Sequence, residues 1–156
     1  MKHKVIPSAM YEVSEIDLIY RFKHQASSRP KISGSKDAYE IFKQEWDPGK
    51  MDLCEQFKIL LLNRANRVLA IFEVSSGGIT GTVADPRLIF AAALKINAVS
   101  IILSHNHPSS NLKPSTADEN LTKKIKQAGD CLDIKILDHI IISSEGYLSF
   151  ADEGLF

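Results

Sequence analysis

The sequence predicts a mixed α/β domain: a β-sheet that includes a hairpin, with helices on its flanks. Three observations carry that class. Phe57–Leu62 is a nearly continuous apolar run, and a second strand-like run, Arg67–Val74, returns after the turn residues Asn63-Arg64-Ala65-Asn66. Val99–Leu103 is short and wholly apolar, the pattern of a strand covered on both faces. Helix punctuation stands between and after these runs, at Asp85-Pro86 and at Ser115-Thr116-Ala117-Asp118.

The elements follow in order. Residues 1–8 read as a loose terminus, and residues 10–23 place Val13, Ile16, Ile19 and Tyr20 at roughly helical spacing. Residues 26–35 are polar, with Ser, Arg, Pro and Gly, and read as a loop or extended arm. Ser35-Lys36-Asp37-Ala38 opens a helix with Tyr39, Ile41, Phe42 and Trp46 on its apolar side, and Asp47-Pro48-Gly49 reads as its stop. Glu55–Asn63 and Arg67–Val74 form the hairpin, followed by a Gly- and Ser-rich loop over 75–81. Asp85 is an N-cap with Pro86 at the first helical position, and this helix runs to about Lys95. Another helix spans 115–128 and is closed by Gly129. Residues 134–137 and 139–142 are strands or one bent strand, and Glu145-Gly146 turns the chain into a last short strand over 147–150. No internal repeat splits the 156 residues. We read 1–50 as an N-terminal helical extension and 51–156 as the core domain.

Composition excludes several classes. Apolar residues make up 44% and charged residues 24%, ordinary for a soluble globular chain. Lys+Arg and Asp+Glu both total 19, so net charge gives no argument for nucleic acid as a partner. The basic clusters at Lys2–Lys4 and Lys123-Lys124-Lys126 read as solvated surface. Two cysteines, Cys54 and Cys131, argue against a disulfide scaffold, fit a reducing cytoplasm, and read as buried small hydrophobes. The N-terminus lacks the apolar run of a signal peptide, and the longest apolar runs are too short to cross a bilayer.

The stretch that carries chemistry is Ser104-His105-Asn106-His107-Pro108 with Ser115 and Asp118 downstream. In extended backbone, side chains two residues apart share a side, so both imidazoles project together from the strand end. Pro108 holds His107 extended and ends ladder pairing beyond it. Asp118 falls in the first turn of a helix capped by Ser115, where the helix dipole favours the carboxylate. Taken alone, Ser115 and Asp118 are helix punctuation of the capping-box kind. Taken together with the histidines, the set fits a zinc ion with one position left open for water. Hydrolysis there requires a general base. Glu55, at the mouth of the first core strand, Glu73 in the second, and Glu119 beside Asp118 are all candidates, and spacing does not select among them. Asn106 faces away and reads as a turn residue. Asp138-His139 could orient a ligand, with a histidine bonded inside the sheet as the plainer reading, and Arg87 reads as half of a surface ion pair.

His105-Asn106-His107-Pro108, Ser115 and Asp118 resemble the His-x-His-Pro…Ser-x-x-Asp pattern of the JAMM (JAB/MPN) metalloproteins. More narrowly, the chain resembles the bacterial RadC family over about residues 51–156. The similar segments are Glu55-Gln56-Phe57, Leu61-Leu62-Asn63, Gly81-Thr82, Pro86-Arg87, residues 91–98, Leu137-Asp138-His139-Ile140-Ile141, Tyr147-Leu148-Ser149-Phe150 and Gly154-Leu155-Phe156. The resemblance implies a JAMM/cytidine-deaminase-like α/β sandwich. It implies zinc held by His105, His107 and Asp118, with Glu55 acting through the metal-associated water and Ser115 steadying the oxyanion. Longer RadC members carry an N-terminal helix-hairpin-helix segment, and residues 1–50 show no such Gly-rich hairpin.

These observations lead to a JAMM-type zinc hydrolase, a metallopeptidase or isopeptidase. The expected substrate is a protein or peptide, docked as an extended strand beside the sheet edge near His105, with duplex DNA bound weakly by this chain alone. A non-catalytic interaction module of DNA-associated machinery that keeps a metal site is the alternative. Phosphodiester hydrolysis calls for a richer carboxylate cluster and two metals.

Overall fold

In the computed structural model, the described residues are 14, 24–77 and 83–156. The helical spacing read over 10–23, the Lys2–Lys4 cluster and the Gly81-Thr82 segment lie outside them. A 3-10 turn at Ala26–Ser28 precedes helix α1 (Ser35–Glu45) and the short α2 (Pro48–Met51). Strands β1 (Gln56–Leu62) and β2 (Val68–Ser76) follow, then α3 (Pro86–Lys95) and β3 (Ser100–Asn106). Helix α4 (Thr116–Cys131), β4 (Lys135–Ile142) and β5 (Tyr147–Ser149) complete the described part.

The five strands form one mixed sheet in the order β2-β1-β3-β4-β5. β1 runs antiparallel to both β2 and β3, β3 and β4 are parallel, and β5 is antiparallel to β4. Alternation along β1 explains the three layers. Phe57, Ile59 and Leu61 face α3 and α4, in a core with Ile89, Phe90, Ala93, Ile101, Leu103 and Ile125. Leu60 and Leu62 face α1, in a core with Ala38, Tyr39, Phe42, Trp46, Ile102, Ile140 and Ile142. Each fully buried side chain of this size contributes about 1.5–3 kcal/mol. Covering on both faces is why β1 and β3 read as continuous apolar runs.

The topology places one residue of α4 in particular. Parallel strands require a crossover, here α4, so its N-terminus returns to the C-terminal end of β3. Asp118 therefore meets the histidines of β3 there, at the strand ends where α/β sheets place ligands.

The structure corrects several expectations. Asp47-Pro48-Gly49 does not simply stop α1: Asp47 caps α2, its side chain accepting from the Gly49 amide, with Pro48 at the first position. Gly129 does not close α4, which runs on to Cys131. It is a contact glycine, since a Cβ there would lie 2.4 Å from the Ile134 carbonyl oxygen. β3 continues through Asn106, three residues past the apolar run, because Ser104 and Asn106 are buried in the sheet despite their polarity. Residues 134–142 hold one strand, with a bulge that leaves Leu137 unpaired between Ile136 and Asp138. β3 is the central strand and both its ladders are occupied, so no sheet edge exists beside His105; among the described residues the edges are β2 and β5. Cys54 is half-buried and Cys131 exposed, both free, so only the former approaches the expected burial. Lys123 and Lys124 are exposed as read, while Lys126 lies 3.9 Å over the Phe156 ring. Arg87 pairs with Asp85 at 2.7 Å on the surface. Among the described residues, no helix is long and apolar enough to cross a membrane.

Candidate metal centre

His105 and His107 project from the C-terminal end of β3 on the face covered by α4. The ladder runs one residue past the strand, with the His107 amide donating to Ile142 O at 3.0 Å, and ends at Pro108. Asp118 comes from the first turn of α4, where the full capping box is present. Ser115 Oγ accepts from the Asp118 amide at 3.1 Å, and Asp118 Oδ2 accepts from the Ser115 amide at 2.7 Å. Asp118 is thus both the acidic half of the capping box and a candidate metal ligand.

The donor atoms converge. His105 Nε2 and His107 Nε2 are 2.9 Å apart, His105 Nε2 lies 3.3 Å from Asp118 Oδ1, and His107 Nε2 lies 3.5 Å from Asp118 Oδ2. Ligands bound tetrahedrally to zinc at about 2.0–2.2 Å lie roughly 3.3–3.5 Å from one another. The two imidazole–carboxylate separations fall in that range, each to a different oxygen of Asp118. Among the described residues, these three form the one group of His, Cys, Asp or Glu whose ligand atoms gather this closely. Side-chain exposure is 3% for His105, 13% for His107 and 18% for Asp118, so the site opens on the His107–Asp118 side.

The hydrogen bonds fix where the ring protons sit. The Asn111 carbonyl can only accept, so His107 donates to it from Nδ1 and keeps Nε2 for the site. The Thr122 hydroxyl donates to the Asp118 carbonyl oxygen at 2.7 Å, so its oxygen accepts from His139 Nδ1 at 2.6 Å. His139 Nε2 then accepts from His105 Nδ1 at 2.8 Å. Two unprotonated nitrogens and a carboxylate are left facing one another, a set that demands a positive charge between them. Burial pushes the Asp118 carboxyl up, but the hydrogen bonds that a protonated His105 or His107 gives it outweigh burial and hold the carboxyl well below the usual carboxylate range. The His107 imidazole is raised by its bond to Asp118, against burial, and also by the charge of Glu55. A proton or a metal ion satisfies this demand, and the donor chemistry of two imidazoles and a carboxylate fits zinc.

A family model for the RadC-like JAB domain matches residues 32–155. The chain belongs to this family. Its mixed five-stranded sheet with flanking helices accords with the JAB/MPN α/β fold. The chain is 49% identical over 126 residues to a UPF0758 protein of Flavobacterium johnsoniae, covering 81% of this chain and 54% of that relative. It is 37% identical over 147 residues to a UPF0758 protein of Chlorobaculum parvum, covering 94% and 65%. With a UPF0758 protein of Porphyromonas gingivalis it shares 40% over 129 residues, covering 81% and 55%. The chain thus spans about half to two thirds of the length of these curated relatives.

In this RadC-like JAB domain the three candidate glutamates lie in different places. β1 and β3 pair Phe57 with His105, and continuing that antiparallel register sets Glu55 opposite His107, on the face of the metal centre. Glu55 is half-buried there, its carbonyl accepting from the Gly77 amide at 2.8 Å. Glu73 pairs with Lys58, on the α1 face of the sheet, and takes a hydrogen bond from Gln56 Nε2 at 2.8 Å. Glu119 is exposed. Ser115 stands at the rim with its hydroxyl donating to Asp118 Oδ2 at 2.7 Å.

Two residues have larger parts than sequence reasoning gave them. Asn106 makes no turn. It is fully buried in β3 on the α1 face, where Oδ1 accepts from the Gln56 amide at 2.7 Å and Nδ2 donates to Met51 O at 2.7 Å and Cys54 O at 2.9 Å. It therefore clamps the segment that presents Glu55. The only signal in the sequence is its position between two same-face residues, which sends it to the opposite face. His139 is bonded inside the sheet, as read, but its partner is a metal-site histidine. Asp138, its neighbour, faces the other way and receives Ser149 Oγ at 2.6 Å and the Ala151 amide at 3.0 Å. Burial pushes the Asp138 carboxyl up against those bonds.

Proposed function

We propose that this domain is a zinc-dependent hydrolase that cleaves an amide or isopeptide bond in a protein or peptide. The observation that carries the reading is the convergence of His105 Nε2, His107 Nε2 and the Asp118 carboxylate at 2.9–3.5 Å from one another, open on one side. Zinc held by these three residues would supply a Lewis acid that makes water acidic near neutral pH and polarises a carbonyl.

The chain's own groups divide the remaining tasks. Glu55, opposite His107, takes the proton of the attacking water and delivers it to the leaving amine. Ser115 turns its hydroxyl from Asp118 to the oxyanion that develops on the attacked carbonyl. Asn106 keeps the Glu55 segment in place, and Asp118 serves both metal and helix. The substrate reaches the site across the strand ends, since β3 is paired on both sides. A formal net charge of zero gives duplex DNA no general attraction to this chain.

The test combines metal content with cleavage. Purified protein is assayed for zinc beside His107→Ala and Asp118→Ala, and cleavage of peptide and isopeptide libraries is compared with Glu55→Gln. The expected result is one zinc per chain, lost in the first two variants. Glu55→Gln should retain zinc while losing roughly two or more orders of magnitude in rate. Full zinc in both ligand variants, or full activity in Glu55→Gln, overturns the assignment.

A further inference from the structure

We propose that His139, anchored by Thr122, is a positioning residue that fixes the proton of His105 on Nδ1 and thereby turns an unprotonated Nε2 toward the metal. The proposal rests on the zinc reading above, and concerns how the site is made ready for the ion.

Four groups form a one-way chain. Its fixed end is the Asp118 carbonyl oxygen, which can only accept, and the Thr122 hydroxyl gives it its single proton. Thr122 Oγ1 can then only accept from His139 Nδ1, and His139 Nε2 can only accept from His105 Nδ1. The distances of 2.7, 2.6 and 2.8 Å leave no room for a water between partners. The opposite ordering would put a proton on His139 Nε2 and move the His105 proton to Nε2. That proton would occupy the place of the ion, and Thr122 would have to give up the Asp118 carbonyl.

The surroundings keep His139 neutral and still. It is fully buried, stacked on Phe150 with ring centroids 4.7 Å apart and tilted against Phe57 at 5.6 Å. An imidazolium between two phenyl rings, with both nitrogens already committed, lacks the solvation it needs. The bulge at Leu137 places the residue here. With Ile136 opposite Ile101 and Asp138 opposite Ile102, His139 falls on the same face as His105. Thr122 and Asp118 are four residues apart on α4, one helical turn, so ligand and anchor belong to one rigid element. Partners that orient a metal-bound histidine typically affect metal affinity by 10–100-fold.

The experiment uses the full chain and needs no substrate. Imidazole 15N shifts of the metal-free protein report each tautomer, and competition with a chromogenic chelator reports zinc affinity for wild type, His139→Gln, His139→Phe and Thr122→Val. We expect His105 and His139 both to carry their proton on Nδ1. His139→Phe should weaken zinc roughly 10–100-fold, with Thr122→Val in between. His139→Gln should bind like wild type, because its carbonyl can accept from His105 while its amide donates to Thr122. A neutral metal-free His105 with its proton on Nε2 in place of Nδ1, or wild-type affinity in folded His139→Phe, overturns the proposal. If His139→Phe fails to fold, the tautomers of the wild type and the affinity of Thr122→Val decide it. Absence of peptide cleavage by wild type would count against the hydrolase reading alone.

Discussion

Replacing Asn106 by alanine removes three hydrogen bonds at a fully buried position. The Gln56 amide loses its acceptor, and the carbonyls of Met51 and Cys54 lose their donor. A buried polar group left without a partner costs about 1–3 kcal/mol. The amide has no alternative, whereas the carbonyls lie next to exposed Leu53 and can recover water. We therefore expect a total near the low end, about 3–4 kcal/mol. At about 2–4 °C per kcal/mol for a domain of this size, melting falls by roughly 6–16 °C. The loss should be local. Amide hydrogen exchange over 51–57 should quicken by more than about tenfold, the factor that 1.4 kcal/mol of opening free energy already gives. Zinc affinity should stay within about threefold, since the His105 and His107 ring protons are set by His139 and Asn111 and not by Asn106. Asn106→Asp offers no rescue, because its second carboxylate oxygen would face two carbonyls. Unchanged exchange at Gln56 would refute the clamp. Zinc loss as large as in His107→Ala would move Asn106 from the loop's support to the metal's.

Three further outcomes follow from the same geometry. Gly129→Ala should destabilise the domain by about 1–3 kcal/mol, read by thermal melting, since the new methyl meets the Ile134 backbone 2.4 Å away. Asp118→Asn should keep the helix cap through its amide oxygen while zinc binding falls, so circular dichroism stays the same as metal content drops. Stripping zinc with a chelator should leave the secondary structure intact, because neither apolar core contains a metal ligand. Melting temperature should then rise with added zinc in proportion to the logarithm of its concentration once binding saturates.

What the sequence revealed was what depends on neighbours in the chain. His105 and His107 were legible because extended backbone has a period of two, and Asp85-Pro86 and Ser115 because caps are made within three residues. The misreadings share a cause. Gly129 carries the composition of a helix end but answers to Ile134 across a turn. Asp47-Pro48-Gly49 both leaves one helix and starts the next, and the same residue types serve both. Asn106 read as a turn residue, and the strand run as ending at Leu103, because polar residues seldom occupy a covered strand. The partners of Asn106 lie some fifty positions upstream, at Met51, Cys54 and Gln56, and no local pattern announces them. His139 was legible as a histidine bonded inside the sheet, but its partner was not, because the bulge breaks the alternation from which its side of the sheet would be counted.

That unpaired Leu137 makes the fourth strand a slip joint. Upstream of it, changes in chain length between α4 and β4 can be taken up before they reach the chemistry. Downstream, over 138–142, there is no slack, and adding or removing one residue would rotate His139 away from His105 even if every side chain kept its identity. The site is thus guarded more strictly against insertion than against substitution on one side of a single leucine. The turn around Asp133, where the chain leaves α4 with a positive φ of 55°, is where extra sequence could be accommodated.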